Sequence, residues 1–263
     1  MTRAERASFL PARAIMAMRR VGAETKSTLK RATRVANTPM AKGGKLPFDI
    51  DEVMRRIRAA VADVPDAAMF ALRDLGYGTL FQQLVACIIS IRTTDEVSLP
   101  TALALLEQAP TPKDVVALAA RDIDAAIRSS TFHGAKAAQI HAIARRAVEE
   151  FGGELPADAE VLQSFAGVGP KCANIALGVA RDVPRISVDV HVWRVVNRWG
   201  YVSARTPEAT LVALERVLPK KYWIEVNRRL VPFGKHICTG VRPKCSTCPV
   251  LEYCRQVGVT EHR

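Results

Sequence analysis

The feature that most constrains this chain is the spacing of its apolar residues. They recur at intervals of three and four along most of its length and nowhere alternate convincingly with a period of two. Side chains spaced in that way share one face of an α-helix, whereas a half-buried strand needs alternation. Across 49–63, Ile50, Val53, Met54, Ile57 and Val61 form such a stripe, with Asp51, Arg55, Arg56 and Arg58 between them. Residues 79–91 (TLFQQLVACIISI) are apolar nearly all round and predict a helix buried on every side. Further helices are predicted over 95–108, 112–119, 121–129 and 135–151, the last closed by Gly152-Gly153, then over 157–164, 171–181, 190–199, 207–217 and 219–230. Pro100 is expected to start or kink its helix, and Thr206-Pro207 opens another with a cap followed by proline in the first turn. The fold class is all-α with short connections, and no internal repeat at a fixed period is evident.

At 263 residues the chain is long enough for one or two domains with a real core. Its 49% hydrophobic and 24% charged residues are those of a globular protein, so most of it should fold. The net charge of +12 favours a polyanionic partner, nucleic acid or an anionic membrane surface, without choosing between them. Eleven basic residues against Glu5 and Glu24 fall within 1–45, so nine of the twelve excess charges sit in a short arm. With no sustained apolar periodicity, that arm reads as a flexible tether to phosphates, as a solvated tail or, being rich in Arg and poor in acids, as a transit peptide. No stretch approaches ~18 uncharged apolar residues, so no membrane span is expected. Nor does a charged start lead into an apolar core and a small-residue cleavage site, which makes a cytoplasmic location the expectation.

Residues 165–171 read FAGVGPK between two helical stretches. Gly167 and Gly169 permit a tight turn, and Pro170 suits the first position of the next helix. At a helix start the unpaired N–H groups and the positive dipole end can hold a phosphate without reading sequence, so Gly167, Val168 and Gly169 are candidate backbone contacts to DNA. A simple helix-to-helix turn is the alternative. Taken singly, Lys171 is a phosphate contact and Asp189, before a helix, is its N-cap.

Of six cysteines, Cys87 and Cys172 stand alone in apolar surroundings and are expected to be buried small hydrophobes. The other four fall within 17 residues in the order Cys238-x6-Cys245-x2-Cys248-x5-Cys254. Four thiolates can hold zinc or an iron-sulfur cluster, and zinc ribbons favour two C-x2-C pairs where this segment has one.

The hairpin, Lys171, the run Val188-Asp189-Val190-His191-Val192-Trp193-Arg194 and the cysteine spacing together resemble the endonuclease III branch of the helix-hairpin-helix DNA glycosylases, from about residue 46 to the C-terminus. The resemblance implies a two-lobed all-α fold. One lobe is a helical barrel over 75–185 that carries the hairpin. The other is a cluster domain formed by 46–74 with 186–263, and 1–45 is left as the arm. It implies a [4Fe-4S] cluster on Cys238, Cys245, Cys248 and Cys254, with Arg242 and Lys244 on a loop that meets the DNA backbone. It also implies a catalytic pair. Lys171 attacks C1′ of the sugar, and Asp189 stabilises the oxocarbenium-like charge that develops as the glycosidic bond breaks. The attack needs an uncharged amine, which the positive end of a helix favours.

The expected function is a bifunctional DNA glycosylase with apurinic/apyrimidinic lyase activity that excises oxidised or damaged pyrimidines from duplex DNA and acts as a monomer. Reaching C1′ means extruding the nucleotide, so a wedge is needed. By resemblance Phe132, before His133 and the Lys136-Ala137 pair, is that wedge, and His133 and His191 join it at the DNA surface. A phenylalanine packed in the core is the alternative for Phe132. Arg92 stands where the family usually has glutamine, Pro170 where it often has a basic residue, and Gln163 where its best-known member has Glu. These departures keep open a monofunctional adenine or mismatch glycosylase, or a DNA-binding homologue with weak catalysis.

Overall fold

The computed structural model describes residues 44–263, so the basic arm expected over 1–45 lies outside the described residues except for its last two. Lys45 and the Leu46 that follows it are tied down. Lys45 Nζ donates to Leu251 O (2.9 Å) and to Gln256 Oε1 (3.3 Å), and Leu46 N donates to Glu252 O (2.8 Å).

Twelve α-helices follow, with no strand among the described residues. They are α1 (Ile50–Ala60), α2 (Ala68–Asp74), α3 (Leu80–Ser90), α4 (Asp95–Gln108), α5 (Pro112–Ala117), α6 (Ala120–Ala126), α7 (His133–Phe151), α8 (Ala159–Gln163), α9 (Pro170–Arg181), α10 (Val190–Trp199), α11 (Pro207–Val217) and α12 (Glu225–His236). None of the helices described is long and apolar enough to cross a membrane. Several starts follow from their caps. Thr79 and Gln82 bond reciprocally through side chain and backbone at the start of α3, Thr111 and Asp114 do the same for α5, and Thr206 caps α11 ahead of Pro207.

Three expectations change. Pro100 does not start its helix, because α4 runs through it. Pro100 and Glu96, whose carbonyl loses its donor, both lie on the exposed side, where solvent can take the carbonyl. The helix expected over 219–230 is a single 3-10 turn at Lys220–Tyr222 followed by α12, which continues to His236 through Pro232. Tyr222 sets that break: its ring is buried and its hydroxyl donates to Asp51 Oδ1 of α1. The third change concerns α2, which has no side-chain cap and was not foreseen.

Two apolar cores result. The first gathers Phe70 and Leu72 of α2, Leu84, Ile88 and Ile89 of α3, Leu105 and Leu106 of α4, and the inner faces of α7 and α9. The second gathers Val53, Met54 and Ile57 of α1, Val192, Val195, Val196 and Trp199 of α10, and Phe233 of α12, with Val250 and Cys254. Thus α2, grouped by sequence with the second lobe, packs into the first. Polar bridges join the cores: Arg228 of α12 donates to Asp66 and Asp74, and Lys235 pairs with Asp95 and Glu96 of α4.

Candidate active site and DNA interface

The segment Phe165–Gly169 turns the chain from α8 into α9. Gly167 takes φ +83°, a left-handed conformation that other residues adopt only under strain, whereas Gly169 is extended at φ −92°, ψ 179°, so only the first glycine is demanded by the turn. Val168 is anchored, its side chain buried in the first core and its N–H donating to Phe165 O (3.1 Å). The backbone N–H groups of Gly169 and Lys171 donate to nothing among the described residues, which leaves them for a phosphate at the start of α9.

Lys171 occupies the second position of α9 and is exposed. The segment that carries Asp189 is laced to the same helix. Asn174 Nδ2 donates to Ile186 O (2.9 Å), Ser187 Oγ donates to Lys171 O (3.2 Å), and Asn227 Nδ2 of α12 reaches Ser187 O (3.4 Å). Asp189 is the N-cap of α10, its Oδ1 accepting from His191 N (2.9 Å) and Val192 N (2.8 Å). The two roles weighed for it are compatible. The cap uses one oxygen, and Oδ2 has no hydrogen-bond partner among the described residues.

Lys171 and Asp189 line one cleft of about 650 Å3 together with Ser90, Arg92, Asp95 and His191. That is ample for a flipped-out nucleoside. His191 is half-buried and Arg194 Nη2 donates to its Nδ1 (3.0 Å); burial, against the opposing pull of the Asp189 carboxylate and with help from the Arg194 charge, holds its pKa below the usual value. The acceptor role marks the neutral ring. Arg194 also donates to Gly234 O (2.8 Å) and Cys238 O (3.1 Å), which ties the Asp189 helix to the cysteine segment.

Beside Arg92, which lines the cleft, Phe132 is 61% exposed, so it is not a core phenylalanine. It caps α7 with φ +58°, and Arg92, also left-handed at φ +53°, holds its guanidinium 5.9 Å from the Phe132 ring centre. His133 is half-buried and its Nδ1 lies 2.6 Å from Asp124 Oδ1. Gln163, exposed, donates back to Ala159 O (3.0 Å). Arg242 and Lys244 are exposed on the loop after Cys238, Arg242 with φ +43° and within 3.9 Å of Glu261.

Cys238, Cys245, Cys248 and Cys254 line a single apolar cavity beneath Trp199 and Phe233. Among the described residues no three His, Cys, Asp or Glu side chains are close enough to hold one metal ion. The donor set still suits a multi-iron group: four sulfurs face one space, Gln256 N donates to Cys254 Sγ (3.4 Å), and Arg198 Nη1 lies 3.6 Å from Cys238 Sγ. Burial pushes the Cys238 thiol up and those of Cys248 and Cys254 up to about 11, so cationic iron would have to draw off their protons.

Cys87 and Cys172 correct the sequence expectation. Both are buried, but α3 and α9 bring them together as a disulfide with Cα atoms 5.8 Å apart, immediately beside Lys171. Their separation of 85 residues hides that pairing from any local pattern.

Residues 85–220 match the family described as HhH-GPD superfamily base excision DNA repair protein. Endonuclease III of Thermotoga maritima is 37% identical over 174 residues, 66% of this chain and 82% of that protein. The chain belongs to the HhH-GPD superfamily of base excision DNA repair proteins. Endonuclease III of Escherichia coli is 30% identical over 182 residues, 69% of this chain and 86% of the relative. Among solved structures, a non-covalent Endonuclease III–DNA complex superposes with a TM-score of 0.69 at 28% identity, covering 79% of this chain and 94% of the other. A trapped Endonuclease III–DNA covalent intermediate with an estranged adenine gives 0.68 at the same identity and coverage. The helix-hairpin-helix unit of this superfamily member is α8, the Gly167 turn and α9.

Proposed function

We propose that Lys171 is the nucleophile of a bifunctional DNA glycosylase and apurinic/apyrimidinic lyase that excises damaged pyrimidines from duplex DNA. One observation carries this: Lys171 and Asp189, eighteen residues apart, share the wall of one cleft at the starts of two helices. The hairpin amides and exposed Arg242 and Lys244 hold the backbone, while Phe132 fills the gap left by the extruded nucleotide.

In the first step Nζ of Lys171 forms a bond to C1′ as the C1′–N bond breaks. The pair of electrons leaves with the base, which takes up a proton, and the Asp189 carboxylate offsets the charge on the sugar. The attacking nitrogen then gives up one proton, O4′ takes up one as the C1′–O4′ bond breaks, and the opened sugar is left as an iminium that keeps the last N–H. A proton then leaves C2′, the C3′–O bond breaks and the 3′ phosphate departs; water releases the sugar from Lys171. The four cysteines would hold a [4Fe-4S] cluster, which when bound crosslinks the C-terminal loops.

Borohydride reduction of the iminium tests the assignment. The enzyme is expected to crosslink to duplex DNA carrying an abasic site, and Lys171→Ala to give no crosslink. One that persists in the variant overturns Lys171 as nucleophile.

A further inference from the structure

Among the described residues Lys136 is the one lysine that the fold buries, at 3% exposure, and nothing in the proposed reaction uses it. Its ammonium has three protons, and three acceptors take them: Ile91 O at 2.6 Å, Ile89 O at 2.8 Å and Ser130 Oγ at 2.8 Å, with Thr93 Oγ1 further off at 3.4 Å. Ile89 O and Ile91 O belong to the end of α3 and the turn after it, where carbonyls lack helical partners and the dipole is negative. Ser130 and Thr131 belong to the turn before α7. Around the ammonium these two segments are stitched to each other: Ser130 Oγ donates to Ile89 O (2.9 Å), Thr131 N donates to Thr93 Oγ1 (3.2 Å), and the Thr93 and Ser130 hydroxyls lie 3.3 Å apart.

The residues next along each segment are Arg92 and Phe132. Both are exposed, both sit at positive φ, and the guanidinium of one lies over the ring of the other. Left-handed backbone at a non-glycine residue persists only where the surroundings over-determine it. Here the surroundings are the Lys136 network, because every hydrogen bond that fixes Ile91, Thr93, Ser130 and Thr131 across the two turns runs to the ammonium or to an atom it touches.

We propose that Lys136 is a positioning residue for base extrusion: one buried ammonium clamps the two turns so that Arg92 and Phe132 enter the duplex together. This rests on the glycosylase reading of the cleft. The clamp is needed where a partner base must be held apart from the lesion and is idle where no opposite strand exists. Burial pulls the Lys136 pKa down to about 8, and it is the carbonyl and hydroxyl acceptors rather than a carboxylate that face the charge.

The test compares full-length enzyme with Lys136→Met, which keeps length and apolar stem but removes charge and donors. Two substrates are used: an oxidised pyrimidine in duplex DNA, and an abasic site in a single strand trapped with borohydride. The variant is expected to lower the ratio of duplex excision to single-strand trapping at least tenfold. The unstacking signal of 2-aminopurine placed opposite the lesion should fall with it. Ser130→Ala removes one acceptor and is expected to lower the same ratio two- to fivefold; it carries the test if the methionine variant does not fold. An unchanged ratio, or equal losses on both substrates, overturns the positioning role. Failure of the parent enzyme to trap on either substrate instead overturns the reading of Lys171, so the two failures are distinct.

Discussion

Ten of the eleven residues of α3 are buried and the helix closes its own first turn, whereas the stretch from Cys238 to Cys254 holds a single 3-10 turn and places four cysteines around a cavity. The first region draws its order from apolar area withdrawn from water. The second has few apolar anchors and depends on Arg194 and Arg198 reaching its backbone from α10 and on whatever its thiols hold. The difference shows where the chemistry can afford to sit. The hairpin and Lys171 are mounted on α9, packed against α3, so the proposed nucleophile rides on the part that stands without a bound group.

The contrast breaks most visibly at Leu84, fully buried in α3. Leu84→Ala should cost about 2–5 kcal/mol of global stability, read from urea unfolding. A loss under about 1 kcal/mol would show that this core is not what holds the first region. Cys248→Ser is expected to act locally. Amide exchange over residues 245–257 should accelerate about tenfold or more while α3 stays protected, since the two belong to separately stabilised units. Acceleration in both regions would erase the distinction.

The smallest effect lies at the Lys235 bridge between the cores, where the Lys235 hydrogen bond holds the Glu96 carboxyl down to about 2. A carboxyl depressed in the folded state stabilises above its ordinary value of about 4.5 and loses that contribution as pH falls toward 2. Thermal midpoints of the parent and Lys235→Met should therefore differ slightly at pH 7 and draw together as pH falls from about 4.5 through about 2. The gap should be small because Glu96 is largely exposed and its pair is screened.

Most helices were legible because each buries one stripe of a 3.6-residue repeat. What escaped was decided by partners distant in sequence. The seven residues of α2 are too few to show a period and lack a cap, and their place in the first core comes from Met69, Phe70 and Leu72 finding α3, α4 and α9. Lys136 reads locally as an ordinary solvated residue near a helix start, and its burial depends on carbonyls some 45 positions earlier. The Cys87–Cys172 bond is hidden for the same reason. Among site residues, Lys171 and Asp189 were visible as a motif, and their meeting in one cleft required the lacing of 186–189 onto α9.

Asp189 spends Oδ1 on the first amides of α10, so the chain's own backbone fixes its side chain. In the proposed mechanism its carboxylate is therefore held by the fold rather than by the substrate. A repair enzyme meets intact nucleotides vastly more often than broken ones, and each visit is brief. A side chain that still had to search its rotamers would miss many of the rare productive encounters; one locked by its own backbone is ready at every stop.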